Sequence, residues 1–112
     1  MGDIDIVLDN SMSRRERSQA LDRIRDIGEL NDIVAYTRAD DWVRKEAITK
    51  LKDRNAIDSL NDIVAASKYG DWVQCHAIDC LGYLFVREDL EAIANASKYS
   101  PKIRRKAREQ LP

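Results

Sequence analysis

Long apolar runs are missing from this sequence. Nowhere do about 18 uncharged apolar residues follow one another, so no segment reads as a membrane-spanning helix and no membrane partner is expected. Cysteine is scarce: Cys75 and Cys80 are the only two, and a five-residue spacing on one helix turns their side chains about 140° apart, against a disulfide between them. With two prolines and four glycines in 112 residues, no linker or low-complexity stretch divides the chain, and a single domain over 1–112 is expected. Charge of one sign is absent as well. Nineteen basic against twenty acidic residues leave a formal charge of −1, which removes any global attraction to nucleic acid or an anionic surface. The opening Met1-Gly2-Asp3-Ile4-Asp5 is acidic where a secretory signal would be basic, and a cytoplasmic location is the expectation.

What is present is repetition. Residues 30–51 lie without gaps on residues 60–81, and twelve of the 22 positions are identical, where average composition gives roughly one or two chance matches. The matches include Leu30-Asn31-Asp32-Ile33-Val34-Ala35 with Leu60-Asn61-Asp62-Ile63-Val64-Ala65, and Asp41-Trp42-Val43 with Asp71-Trp72-Val73. A third copy follows at the same offset of 30, through Leu90, Ile93, Ala96-Ser97-Lys98-Tyr99, Ala107 and Leu111. A fainter one precedes at an offset of 27, through Asp5-Ile6-Val7, Arg17 and Ala20. Units of 3–29, 30–59, 60–89 and 90–112 result.

Each unit reads as two helices. Val43, Ala47, Ile48 and Leu51 form the stripe of the second, and Ile57, Leu60, Ile63, Val64 and Ser67 that of a shorter first. Ser13, Asp40, Gly70 and Ser100 stand where the second helix starts, all residues suited to capping, with Pro101 at a first helical position and Ser13 with Glu16 spaced as a capping box. A hairpin of this kind cannot bury its apolar face alone, so the expected fold is all-α, an α-α superhelix of about four stacked hairpins.

The pattern Asp41-Trp42-Val43-Arg44 followed by Ala47 and Leu51, at a 30-residue period, resembles the short HEAT-like repeat of phycobilin lyase subunits. The resemblance implies a polar ladder between units in which Asp40 or Asp41 joins Arg44, and Gln74 departs from it.

Departures from a repeat mark positions where something besides folding is asked of a residue. The third unit departs most: Gln74-Cys75-His76 replace Arg44-Lys45-Glu46, and Asp79-Cys80 replace Thr49-Lys50. Cys75 with Asp79 and His76 with Cys80 are each spaced to chelate from one helix, but the two pairs point about 100° apart, so no four-ligand metal site is expected from this helix. No Ser-His-Asp spacing, Gly-rich phosphate loop or Cys-x-x-Cys occurs; neither catalysis nor a cofactor is expected. Trp42 and Trp72 hold equivalent positions near the start of the second helix. With Lys45, Cys75, His76 and Asp79 they make up the candidate partner-binding ridge.

Charge is uneven along the chain, −3 over residues 60–89 and +4 over 90–112. Lys102, Arg104, Arg105, Lys106 and Arg108 form a basic patch on the last helix. A ridge from Lys45, Thr49 and Lys52 through Cys75 and Asp79 to Arg105 and Glu109 mixes signs, which suits a protein partner better than a polyanion. A non-catalytic protein-binding scaffold is therefore the leading expectation. A bilin chromophore lyase accessory subunit follows only from the resemblance, and weak nucleic-acid binding only from the basic helix. Leu111-Pro112 closes the last stripe without a polar cap, which points to a homodimer through the terminal unit.

Overall fold

Val43, Ala47, Ile48 and Leu51 recur at the spacing of one helix face, and all four are sealed from solvent. So are Val73, Ala77, Ile78 and Leu81 one repeat on, and Ile103 and Ala107 two repeats on. The computed structural model describes residues 2–112, and those residues contain eight α-helices and no strand. They are α1 Asp3–Leu8, α2 Arg14–Arg23, α3 Ile27–Ala35, α4 Asp41–Asp53, α5 Ile57–Ala65, α6 Asp71–Tyr83, α7 Arg87–Asn95 and α8 Pro101–Glu109, with a single 3-10 turn at Ser67–Tyr69. None is long and apolar enough to cross a membrane.

The odd-numbered helices carry the shorter stripe. Leu30, Ile33 and Val34 on α3, Leu60, Ile63 and Val64 on α5, and Leu90, Ile93 and Ala94 on α7 are all buried. Ser67 leaves the expected stripe because α5 stops at Ala65, and the hydroxyl residue stands exposed in the 3-10 turn. The last three hairpins begin ahead of the boundary read from the repeat: α3 starts at Ile27, α5 at Ile57 and α7 at Arg87, placing Leu30, Leu60 and Leu90 one turn inside. The 27-residue offset of the first unit also has a structural reason. α2 is 10 residues long where α4 and α6 are 13.

Side-chain capping sets the entry to α2 and α8. Ser13 accepts the Glu16 backbone N–H at 3.1 Å, and Ser100 accepts that of Ile103 at 3.3 Å ahead of Pro101. The box at Ser13 is only half formed, since the Glu16 carboxylate takes the Ser13 hydroxyl proton rather than its backbone N–H. Gly70 sits at φ 85°, a conformation that a side chain would strain.

The exits of α4 and α6 share one geometry. Ala56 N–H reaches the Leu51 carbonyl and Val86 N–H the Leu81 carbonyl, each closing a Schellman motif. The residue at the left-handed position is Asn55 at φ 55° in one copy and Phe85 at φ 58° in the next.

The chain forms two compact units, residues 1–50 and 51–112, with the division inside α4. In the first, α1 packs on α2 and touches α3. In the second, α5 packs on α6, α7 on α8, and α6 bridges the two hairpins by packing on α8 as well as α7.

A polar clamp closes each hairpin. Arg17 Nε donates to the Val7 carbonyl at 2.9 Å, Arg44 Nε to Val34 at 3.0 Å and Gln74 Nε2 to Val64 at 2.6 Å, always across ten residues. Each takes a carbonyl at the end of an odd-numbered helix, which lacks an intrahelical partner. In the last hairpin Arg108 Nη2 takes the Ala94 carbonyl at 3.1 Å, while the buried Arg104 Nε has no hydrogen-bond partner. The expected ladder is corrected in one respect: Asp40 pairs with Arg17 at 2.9 Å, so the ion pair joins the cap of one hairpin to the clamp of the hairpin before it.

Candidate interaction cleft

The face of α6 on which the repeat loses its charge lies against α8. Trp72 and Cys75 of α6, with Lys102, Arg105, Lys106 and Glu109 of α8, line an open cleft of about 310 Å³. The spacing explains the convergence. Positions 72 and 75 are one turn apart on α6, and 102, 105, 106 and 109 follow the three-four rhythm of a single helix face.

Within this cleft the lysines are engaged. Lys106 Nζ lies 3.0 Å from Asp79 Oδ1, and Lys102 Nζ lies 3.7 Å from Asp71 Oδ2. Gln110 Nε2 donates to the same Asp79 oxygen at 3.0 Å. Its approach needs Gly82, where a Cβ would run into the Gln110 side chain. The bond to Asp79 holds the Lys106 ammonium above the usual lysine range. Burial pushes the Cys75 thiol up, against the opposing pull of Lys102 and Lys106. Arg105 stands exposed at the mouth and makes no ion pair among the described residues.

Several expected site residues lie elsewhere. Trp42 belongs to the first unit, half-buried, with the Arg14 guanidinium 4.5 Å and the Arg17 guanidinium 5.2 Å from its ring centre. That is a cation–π stack inside one hairpin pair. Lys45 is exposed in the same unit. His76 is partly buried on α6 and does not line the cleft. Cys80 is only 4% exposed, and burial pushes its thiol up to about 11. Among the described residues no three His, Cys, Asp or Glu side chains converge as metal ligands would. Of the basic patch, Lys102, Arg105 and Lys106 line the cleft, whereas Arg108 donates to the Ala94 carbonyl of the α7–α8 hairpin and Arg104 has its Nε buried.

Two aromatic side chains were not expected as surface features. Tyr83 is 69% exposed with the Lys52 ammonium 4.1 Å from its ring centre, and Phe85 is 89% exposed. The available signal was their departure from Asp53 and Asn55 one repeat earlier. A second depression, of about 340 Å³, lies between α5 and α7 and is lined by residues including Asn61, Asp62, Asp89 and Tyr99. Asn61 bridges it by donating to Asp89 at 3.0 Å. No protein-family model, no curated protein and no solved structure matches this chain.

Proposed function

We propose that this chain is a non-catalytic protein-binding scaffold of the HEAT-like repeat type, with the α6–α8 cleft as its binding surface. In this reading the stacking of α5–α6 on α7–α8 continues through all four hairpins as an α-α superhelix. The observation that carries the proposal is that Cys75, where the repeat gives up a charged residue, and the neighbouring Trp72 meet the basic face of α8 in one cleft. Residues that serve only to bury a stripe would have no reason to depart from the repeat at its exposed edge. The thiols fit the same reading: both are held toward their protonated forms, which suits packing better than attack on a substrate.

The test is capture from source-cell extract by the immobilised chain and by a Trp72→Ala/Cys75→Lys variant, with circular dichroism showing both equally helical. A protein retained by the wild type through moderate salt and lost by the variant is expected. Equal retention by both would count against the cleft. Recovery of nucleic acid alone, or an absorbance change on mixing with bilin, would replace the reading.

A further inference from the structure

The charges around the cleft are not interchangeable. Lys102 and Lys106 already face Asp71 and Asp79, so their fields are largely compensated at the site. Arg105 is different. It is exposed, lines the cleft, and has no ion-pair partner among the described residues, although Glu109 stands one turn along the same helix. Its planar fork of donors matches a carboxylate in two parallel hydrogen bonds, a geometry a lysine cannot supply. Beside it the Trp72 ring, 39% exposed, offers flat apolar surface of the kind that anchors interfaces.

We infer that the α6–α8 cleft receives a short acidic segment of a partner protein, with one carboxylate taken by Arg105 and a neighbouring apolar side chain laid on Trp72. This rests on the protein-binding reading above and names the chemistry of the partner. Size favours a segment over a folded surface, since about 310 Å³ is at the lower end of the range in which compact groups are held. Charge placement favours a peptide over a nucleic acid. Paired with Asp71 and Asp79, the two lysines offer little free charge to a phosphodiester chain, whereas a peptide can set a single carboxylate opposite the unpaired Arg105 guanidinium.

The test uses a library of displayed random peptides selected on the full chain, with Arg105→Glu and Trp72→Ala selected in parallel. Both substitutions are at exposed positions, and circular dichroism verifies that the variants fold. Peptides enriched on the wild type should combine Asp or Glu with an adjacent aromatic or aliphatic residue. Resynthesised, they should bind Arg105→Glu about tenfold or more weakly. Selection on Arg105→Glu should exchange acidic for basic residues, and Trp72→Ala should lose the apolar preference while keeping the acidic one. Enriched peptides without acidic residues, or a set unchanged on Arg105→Glu, would overturn the inference. Tighter binding of a uridine-rich RNA oligonucleotide than of any selected peptide would overturn it too. If cellular capture still depends on Trp72 while the selected peptides are not acidic, the inference fails alone and the protein-binding reading stands.

Discussion

Asn55 and Phe85 occupy the same turn one repeat apart, at φ 55° and 58°. Asparagine is enriched in this left-handed region, but a bulky ring there costs on the order of 1 kcal/mol or more. Burial does not offset that cost, because the Phe85 side chain is 89% exposed. Phe85→Asn should therefore stabilise the protein by about 1 kcal/mol in a denaturant titration; a loss of stability would mean that the ring makes contacts essential to the fold. Cys80 gives a second expectation at this scale. Its folded value of about 11 lies above the ordinary 9.0, because burial favours the neutral thiol. The associated stability is fully present below the ordinary value and is lost as pH rises from there toward 11. Alkylation at neutral pH should modify the half-buried Cys75 well before Cys80, and modification of Cys80 first would contradict its burial.

The clamp belongs to the scale of the element. Arg17 closes α1 onto α2 through the Val7 carbonyl and ties in Asp40, whereas Gln74 closes α5 onto α6 through the carbonyl bond. Arg17→Ala leaves a buried carbonyl without a partner and should cost about 2 kcal/mol. Arg17→Gln, which copies what Gln74 does, should lose clearly less. Thermal unfolding should order the three proteins accordingly, and equal losses from both variants would show that the carbonyl bond contributes nothing.

Much of this architecture was legible. The stripes and the starts at Ser13, Ser100 and Pro101 depend on local spacing and capping chemistry, which a sequence displays directly. The clamp was not, because a ten-residue separation has meaning only once a hairpin has folded. The turns after α4 and α6 were equally hidden: the left-handed positions carry asparagine and phenylalanine rather than the glycine that announces such an exit.

At the scale of the whole molecule, a formal charge of −1 conceals segregation. Residues 60–89 carry −3 and residues 90–112 carry +4, and the packing of α6 on α8 sets Asp71 and Asp79 against Lys102 and Lys106. The Lys102–Asp71 pair is exposed and the Lys106–Asp79 pair partly so, so Lys106→Ala should cost about 1 kcal/mol or less, and added salt should weaken the fold only slightly. A larger loss would assign the pair a structural weight that its solvation argues against. The same packing explains how far the site could be read from sequence. Trp72, Cys75, Arg105 and Glu109 stood out by departing from a repeat or by standing on its exposed ridge. The division of labour between the engaged lysines and the uncommitted Arg105 depends on side chains from two helices about thirty residues apart. Trp42, equivalent to Trp72 by position, lies against the Arg14 and Arg17 guanidiniums within the first unit.

Amide hydrogen exchange, measured on the chain alone and with a captured partner or selected peptide bound, locates the contact directly. Slowed exchange should be concentrated in residues 71–80 and 101–109, with α1, α3 and α5 unchanged. Protection confined to α1–α3, or to the α5 and α7 face, would place the binding surface elsewhere and contradict the role given to the α6–α8 cleft.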